Sequence, residues 1–146
     1  IEASGESGTV AEITVVYTVL LTPDNKRITI PNGSLTNSVI ENYSSQELRR
    51  VDLTFGADYN SDVDQVKSVI SRVVEAHPLA LNDPAPFVRL SAHDDSALTY
   101  TVRVWCKQED YWGIKFDLNK KVYEIFPKEG LNFPYQTLTL HVEKDA

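Results

Sequence analysis

The chain has 146 residues, enough for one mid-sized domain or two small ones, and its apolar (42%) and charged (24%) fractions are those of a folded protein. Its net charge of −7 disfavours nucleic acids and anionic lipids as partners, because binding to them requires a basic surface. The single cysteine, Cys106, excludes an internal disulfide. No apolar run approaches the ~20 residues of a membrane-spanning helix, so we expect the chain as given to be soluble. Because it opens on Ile1 without a methionine, we expect it to be a piece of a longer protein.

The first part of the sequence predicts a small all-β module. Residues 9–21 are dense in β-branched side chains and alternate in polarity, which predicts one long strand. Short strands are predicted at 27–30 and 39–43, separated by turns at 22–25 and at Pro31-Asn32-Gly33. Proline restricts φ and Asn-Gly tolerates positive φ, so we expect Gly33 to adopt a positive φ.

The second part predicts alternating strands and helices. Alternating apolar residues predict strands, and apolar residues at helical spacing predict helices, the first with Ser61 as its N-cap and Pro78 after its end. The predicted elements are a strand at 51–57, a helix from 61, strands at 87–92 and 98–106 joined by a hairpin, a helix at 110–126 and a last strand at 137–142. This order, β-α-β-β-α-β, is the ferredoxin-like arrangement.

Two arrangements of acids and histidines are candidates for metal sites. Asp58, Asn60, Asp62 and Asp64 are spaced as at the start of an EF-hand loop, but positions six and twelve of that loop hold valines instead of glycine and glutamate. Helix capping explains these acids better. The three histidines, His77, His93 and His141, share no ligand spacing. The sequence therefore predicts no metal and no cofactor.

Candidate catalytic and nucleic-acid residues also favour structural roles. Cys106 falls on the apolar side of its strand, where a cysteine acts as a small hydrophobic residue. Trp105, Tyr111 and Trp112 could stack on bases, but the aromatic and glycine motif of RNA-recognition domains is absent. We therefore predict that the chain is not an enzyme. Two roles remain open on the residues alone, an oligomerising structural module and a ligand-sensing regulatory module.

An ordered set of segments resembles the cytoplasmic region of the small-conductance mechanosensitive channel (MscS) family. The set covers nearly the whole chain in the family's order. The principal segments are Thr22-Pro23-Asp24-Asn25-Lys26, Ile30-Pro31-Asn32-Gly33, Arg49-Arg50-Val51-Asp52-Leu53, Asp62-Val63-Asp64-Gln65-Val66-Lys67, Val102-Arg103-Val104-Trp105, Phe116-Asp117-Leu118 and Gly130-Leu131-Asn132-Phe133-Pro134.

The resemblance implies a domain plan within an α+β fold. It implies a Sm-like β domain lacking its first strand at 1–47, a ferredoxin-like α/β domain at 48–135, and a tail at 136–146 whose strand joins an oligomeric barrel. Leu138, Leu140 and Val142 are the tail's apolar side and are expected to serve assembly. Pro127 stands where the family's second helix continues, so we expect the helix to stop or kink there.

The resemblance also implies a function. Family members form homoheptamers whose cytoplasmic vestibule lies below upstream membrane helices, in bacterial or archaeal cell membranes. They open under membrane tension and release ions and small osmolytes on osmotic downshock. The turn at Pro31, Asn32 and Gly33 matches one that the family places near the base of the pore, which implies a role in gating. The alternative is a ferredoxin-like domain that binds a small ligand and regulates a partner.

Overall fold

A computed structural model describes residues 1–144 and divides the chain into two compact units, residues 1–47 and the part from residue 48 onward. Each unit has its own buried apolar cluster. The last two residues of the predicted tail, 145 and 146, lie outside the described residues.

The first unit consists of two small antiparallel sheets and one short helix. Its elements are β1 (Glu2–Ala3), β2 (Glu6–Ser7), β3 (Thr9–Ile13), β4 (Tyr17–Leu21), β5 (Arg27–Pro31), α1 (Asn32–Thr36) and β6 (Ile40–Glu41). The sheet orders are β2-β1-β6 and β3-β4-β5. Ala3, Leu20, Ile30 and Leu35 form the core, which holds the two sheets and the helix together.

The prediction of one long strand over residues 9–21 is wrong, because the segment folds into a hairpin. Thr9 pairs with Leu21 and Ile13 pairs with Thr18. The chain reverses at Thr14, whose amide donates to the Tyr17 carbonyl at 2.8 Å. The Thr14 hydroxyl also takes part in this turn, and threonine is the one β-branched residue whose side chain can hydrogen-bond within a turn.

The expectation of a positive φ at Gly33 is also wrong. The positive-φ glycines of the described chain are Gly5 and Gly130. Gly33 lies instead in α1, which begins directly after Pro31, and Pro31 has the extended backbone (φ −58°, ψ 135°) typical of a residue before a helix. The Asn-Gly pair therefore opens a helix here and does not form a hairpin turn.

The second unit is a three-stranded antiparallel sheet with two helices packed on it. Its elements are β7 (Leu48–Ala57), α2 (Val63–Glu75), β8 (Phe87–His93), β9 (Leu98–Lys107) and α3 (Tyr111–Lys128). The sheet order is β7-β9-β8, so β9 is central and pairs along its length with β7. This is the predicted β-α-β-β-α order, with strand and helix types confirmed for all five elements.

The core of the second unit comes from one side of the sheet and the facing sides of both helices. Val51, Tyr100 and Val102 are fully buried on the sheet. The helices contribute apolar residues at helical spacing, namely Val66, Val69, Ile70, Val73 and Val74 on α2 and Ile114, Leu118, Val122 and Phe126 on α3. This burial holds both helices against the sheet.

Two helix ends differ from the predictions. Asp62, not Ser61, caps α2, and its carboxylate accepts a hydrogen bond from the Gln65 amide at 3.0 Å. Helix α3 runs one residue past Pro127 and ends at Lys128. Gly130, with φ +73°, then turns the chain so that the Leu131 amide donates to the Phe126 carbonyl at 2.9 Å.

The strand predicted at 137–142 is not formed within this chain. Residues 131–144 have no regular secondary structure. A strand exists only when a neighbouring strand satisfies its backbone groups, and within the described residues the tail has no such neighbour. The sheet of the second unit therefore ends at three strands.

Candidate functional site

The turn predicted as a gating element is organised by the Asn32 side chain. Its amide nitrogen donates to the Thr14 carbonyl at 2.8 Å, and its carbonyl oxygen accepts from the Thr18 hydroxyl at 2.8 Å. The Asn32 backbone amide also donates to the Val16 carbonyl at 2.9 Å. Because the Thr14 carbonyl can only accept, only this orientation of the amide satisfies both partners. Asn32 therefore ties the start of α1 to the β3–β4 turn.

Thr14 holds the same turn from within. Its hydroxyl donates to the Tyr17 carbonyl at 2.9 Å and accepts from the Tyr17 amide at 3.0 Å. The hydrogen-bonded loop carries apolar side chains that face solvent at its tip. Val15 is 97% exposed, and Ile13 and Val16 are 72% and 71% exposed. We call Ile13, Val15 and Val16 the hairpin tip.

The other two residues of the predicted turn have simpler roles. Pro31 is the last residue of β5, pairs with Tyr17, and precedes α1. Gly33 lies in open surroundings, and a Cβ placed there would meet no atom within 4 Å. Of Pro31, Asn32 and Gly33, Asn32 is thus the residue whose side chain forms hydrogen bonds with another element. Sequence reasoning missed Thr14 and the hairpin tip, whose valines match a continuous strand in sequence.

The predicted assembly residues of the tail are exposed to solvent. Leu138, Leu140 and Val142 are 86%, 82% and 83% exposed. The tail is held at its start, where the Thr137 amide donates to the Ser96 hydroxyl at 3.2 Å. These three large apolar residues occupy alternate positions, so an extended conformation would place them on one side as an apolar stripe, and they have no cover within residues 1–144.

His77 is buried at the end of α2 and links it to α3. Its Nε2 lies 2.8 Å from Asp117 Oδ2, and its Nδ1 accepts from the Leu79 amide at 3.2 Å. This pattern requires the tautomer with the proton on Nε2. The hydrogen bond from His77 lowers the pKa of Asp117 below its ordinary value of 3.8, with a smaller contribution from Lys121 and Lys120. His77 thus has a structural role, because it links the end of α2 to α3.

The remaining chemical candidates do not assemble into a site. Burial raises the pKa of the Cys106 thiol, which has no exposed surface and is therefore unsuited to nucleophilic attack. Among residues 1–144, no three His, Cys, Asp or Glu side chains converge as metal ligands. Of the EF-hand-like residues, Asp62 caps α2.

The aromatic residues near the start of α3 do not form a base-stacking surface on the sheet. The Arg49 guanidinium lies 3.5 Å from the centre of the Tyr111 ring. Trp112 packs edge-on against Tyr111 and beside Phe116, and is half exposed on the helix. These contacts place the aromatic side chains at a helix–strand junction, as the sequence suggested for a structural cluster.

The arrangement of a β module, an α/β unit and an extended tail can be compared with known proteins. Two family models match in order: "Mechanosensitive ion channel, beta-domain" over residues 1–45 and "Mechanosensitive ion channel MscS, C-terminal" over residues 51–133. This chain belongs to the MscS family of mechanosensitive ion channels. The resemblance seen in the sequence is therefore confirmed.

Individual MscS relatives match almost the whole chain. The small-conductance mechanosensitive channel of Edwardsiella ictaluri is 35% identical over 142 residues, which are 97% of this chain and 50% of the relative. The channel MscMJ of Methanocaldococcus jannaschii is 34% identical over 151 aligned residues, covering 99% of this chain and 43% of the relative. The chain thus spans about half the length of the curated relatives it matches.

A solved MscS structure confirms the fold class. The closed-state crystal structure of Helicobacter pylori MscS superimposes with a TM-score of 0.91 at 25% identity, covering 97% of this chain and 56% of that one. The chain therefore has the fold of the MscS β domain and C-terminal domain. Within residues 1–144, none of the helices combines the length and the apolar character that a membrane crossing requires.

Proposed function

We propose that this chain is the cytoplasmic vestibule part of a channel that opens under membrane tension and releases ions and small osmolytes on osmotic downshock. The observation that carries the proposal is the match of both MscS family models in order, together with the superposition on Helicobacter pylori MscS. The working location is the cytoplasmic side of a bacterial or archaeal cell membrane. Family membership favours this role over a ligand-binding regulator and over an enzyme.

The vestibule is proposed to be a homoheptamer in which residues 136–146 supply one strand each to a closed barrel. The exposed apolar stripe of Leu138, Leu140 and Val142 supports this, because it lacks cover within one chain. Closure of seven tail strands into a ring would satisfy backbone groups that a lone strand leaves open. It would also turn one set of side chains inward and the other outward.

The segment Pro31, Asn32 and Gly33, where β5 passes into α1, is proposed to act in gating. The support is mechanical: Asn32 holds the hairpin tip through hydrogen bonds to Thr14 and Thr18. The exposed apolar side chains of the hairpin tip can contact a neighbouring apolar element. Because hydrogen bonds make the loop resist deformation, a movement of that element would be passed on to α1.

A chimeric channel tests the proposed function directly. The matching segment of the Edwardsiella ictaluri channel is replaced by this chain and expressed in cells that lack mechanosensitive channels. We expect suction on excised patches to open a conductance, and we expect the cells to survive osmotic downshock. The unmodified relative is the positive control, and the relative truncated before the matched segment is the negative control.

The assembly state is measured on the same chimera and on this chain alone. Native mass spectrometry of the detergent-extracted chimera should give a single ring of seven subunits. A chimera that reaches the membrane as a ring but never opens under suction contradicts the channel role. A chimera that assembles with a different number of subunits contradicts the heptamer.

A further inference from the structure

A groove of about 380 Å³ runs between α2 and α3 of the second unit. Its apolar part is formed by Val73, Ala76 and Ile125. This volume lies within the roughly 300–1,000 Å³ range of small-molecule sites, which are also mostly apolar with a few charged groups. The groove therefore has the size and lining of a ligand site.

The charged groups around the groove are mainly cationic. Arg72, Lys121 and Lys128 line it, with Glu124 as the one acid among the lining residues. This local excess of positive charge contrasts with the net charge of −7 for the whole chain. An electropositive surface on an acidic protein favours an anionic ligand at that place.

The ion pairs of the described residues leave two of these cations available. The Arg72 guanidinium forms an ion pair with Glu129 Oε1 at 3.2 Å. Glu124 Oε1 lies 3.9 Å from Nζ of Lys120, one turn earlier in α3. Neither Lys121 nor Lys128 forms an ion pair within residues 1–144. The charge of Lys121 contributes to lowering the pKa of Asp117, but the Asp117 carboxylate forms its hydrogen bond with His77.

We infer that this groove binds a small organic carboxylate with an aliphatic body. The aliphatic part lies on Val73, Ala76 and Ile125, and the carboxylate lies between the ammonium groups of Lys121 and Lys128. Burial of the aliphatic part supplies most of the affinity, and the two lysines select the charge. The inference concerns the α2–α3 groove alone and does not depend on channel activity.

Octanoate is the probe for the inference. The chain of 146 residues is labelled with ¹⁵N and titrated with octanoate, octanol and octyltrimethylammonium, which share the aliphatic length and differ in charge. We expect octanoate to shift the amide signals of Val73, Ala76 and Ile125 with saturation. Octanol should bind more weakly, and the cation should bind weakest of the three. Added salt should weaken octanoate and leave octanol unchanged.

Two variants locate the site. Lys121→Gln combined with Lys128→Gln should weaken octanoate about fivefold and bring it to the level of octanol, because two partly exposed ion pairs are lost. Lys67→Gln combined with Lys115→Gln removes the same net charge from α2 and α3 outside the groove and should change octanoate binding by less than about twofold. Ala76→Phe should fill the groove and weaken octanoate and octanol alike.

Each outcome decides the inference. Saturable octanoate binding that is lost in the groove variants and retained in the matched control supports it. Equal binding of octanoate and octanol by the unmodified chain overturns it, as does preference for the cation. Absence of saturable shifts up to the solubility limit of octanoate also overturns it, and so does equal weakening in both double-lysine variants. Circular dichroism of each variant identifies any that fail to fold, and Ala76→Phe then provides the test without a change of charge.

Discussion

Asn32→Ala tests the link between the helix start and the hairpin tip. The substitution removes the hydrogen bonds to the Thr14 carbonyl and from the Thr18 hydroxyl, each 2.8 Å long. At a net value of about 1 kcal/mol for each hydrogen bond, the first unit should lose about 2 kcal/mol. Thr18 is only 5% exposed, so water cannot easily replace its lost partner.

Amide hydrogen exchange is the measurement for this prediction. The chain has two units, so one unfolding midpoint would mix their stabilities. Exchange of the β4 amides reports the opening of the first unit alone, and it should accelerate by a factor of about thirty for a loss of about 2 kcal/mol. Amides of β9 in the second unit should keep their rates and serve as an internal reference.

Three companion variants show whether the reasoning is correct. Asn37→Ala removes an exposed hydrogen bond to the Gly33 carbonyl from the same helix, and it should cost less than about 0.5 kcal/mol. Asn32→Asp keeps the acceptor for Thr18 but places a carboxylate against the Thr14 carbonyl, so it should destabilise until protonation below about pH 4 restores a donor. In combination with Asn32→Ala, Thr18→Val should be less than additive. Two results would refute the role of the Asn32 side chain as a link. One is full additivity of the losses in unfolding free energy, and the other is a loss in Asn32→Ala no larger than that in Asn37→Ala.

Three further predictions concern the turn, the buried histidine and the tail. Gly33→Ala should stabilise the first unit by about 0.5–1 kcal/mol, because its Cβ meets no atom and α1 needs no positive φ; slower exchange in β4 checks this. Since His77 lowers the pKa of Asp117, the stabilisation by this carboxylate is present above about pH 4 and is lost as the pH falls through the lowered value. The Asp117→Asn variant should be less stable than the unmodified chain at neutral pH, and this difference should shrink as the pH falls. A urea titration followed by the NMR signals of β9, which report the second unit alone, measures it at each pH, and a difference independent of pH would contradict the prediction. Deletion of residues 136–146 should leave both units folded and weaken the ring; native mass spectrometry showing an equally stable ring, or circular dichroism showing unfolding, would contradict the proposed tail strand.

The second unit was predictable because, in each of its strands and helices, the apolar residues recur at the regular spacing of that element type. Apolar residues alternate along β9 from Leu98 to Cys106, and they recur at helical spacing in α2. Each of these patterns is buried against the same core, so local preference and packing agree. The cap of α2 shifted by one residue, from Ser61 to Asp62, because both residue types can accept the same hydrogen bond.

The first unit was harder to predict because its hairpin interrupts a β-branched run and is held partly by a side chain distant in sequence. Val15 and Val16 continue the β-branched run of their neighbours, so nothing local signals the reversal at Thr14. Thr14 and Tyr17 close the reversal, and Asn32, eighteen residues away from Thr14, holds it from outside. Asn32 itself was selected by family resemblance, and its hydrogen-bond partners required the structure. The alternation of apolar residues at 137–142 predicts a strand, but no partner strand for it lies within residues 1–144.

In the hairpin tip, one set of groups fixes the backbone conformation and a different set forms the exposed surface. The tip is shaped by the Thr14 hydroxyl, the Asn32 amide and backbone groups, while Val15 is almost fully exposed and Val16 is mostly exposed. Substitutions at Val15 and Val16 can therefore alter the size and polarity of the tip at little cost to folding. During evolution, such a tip can be matched to a different neighbouring surface without a compensating change in the core beneath it. The same separation makes these two positions suitable for attaching a spectroscopic label.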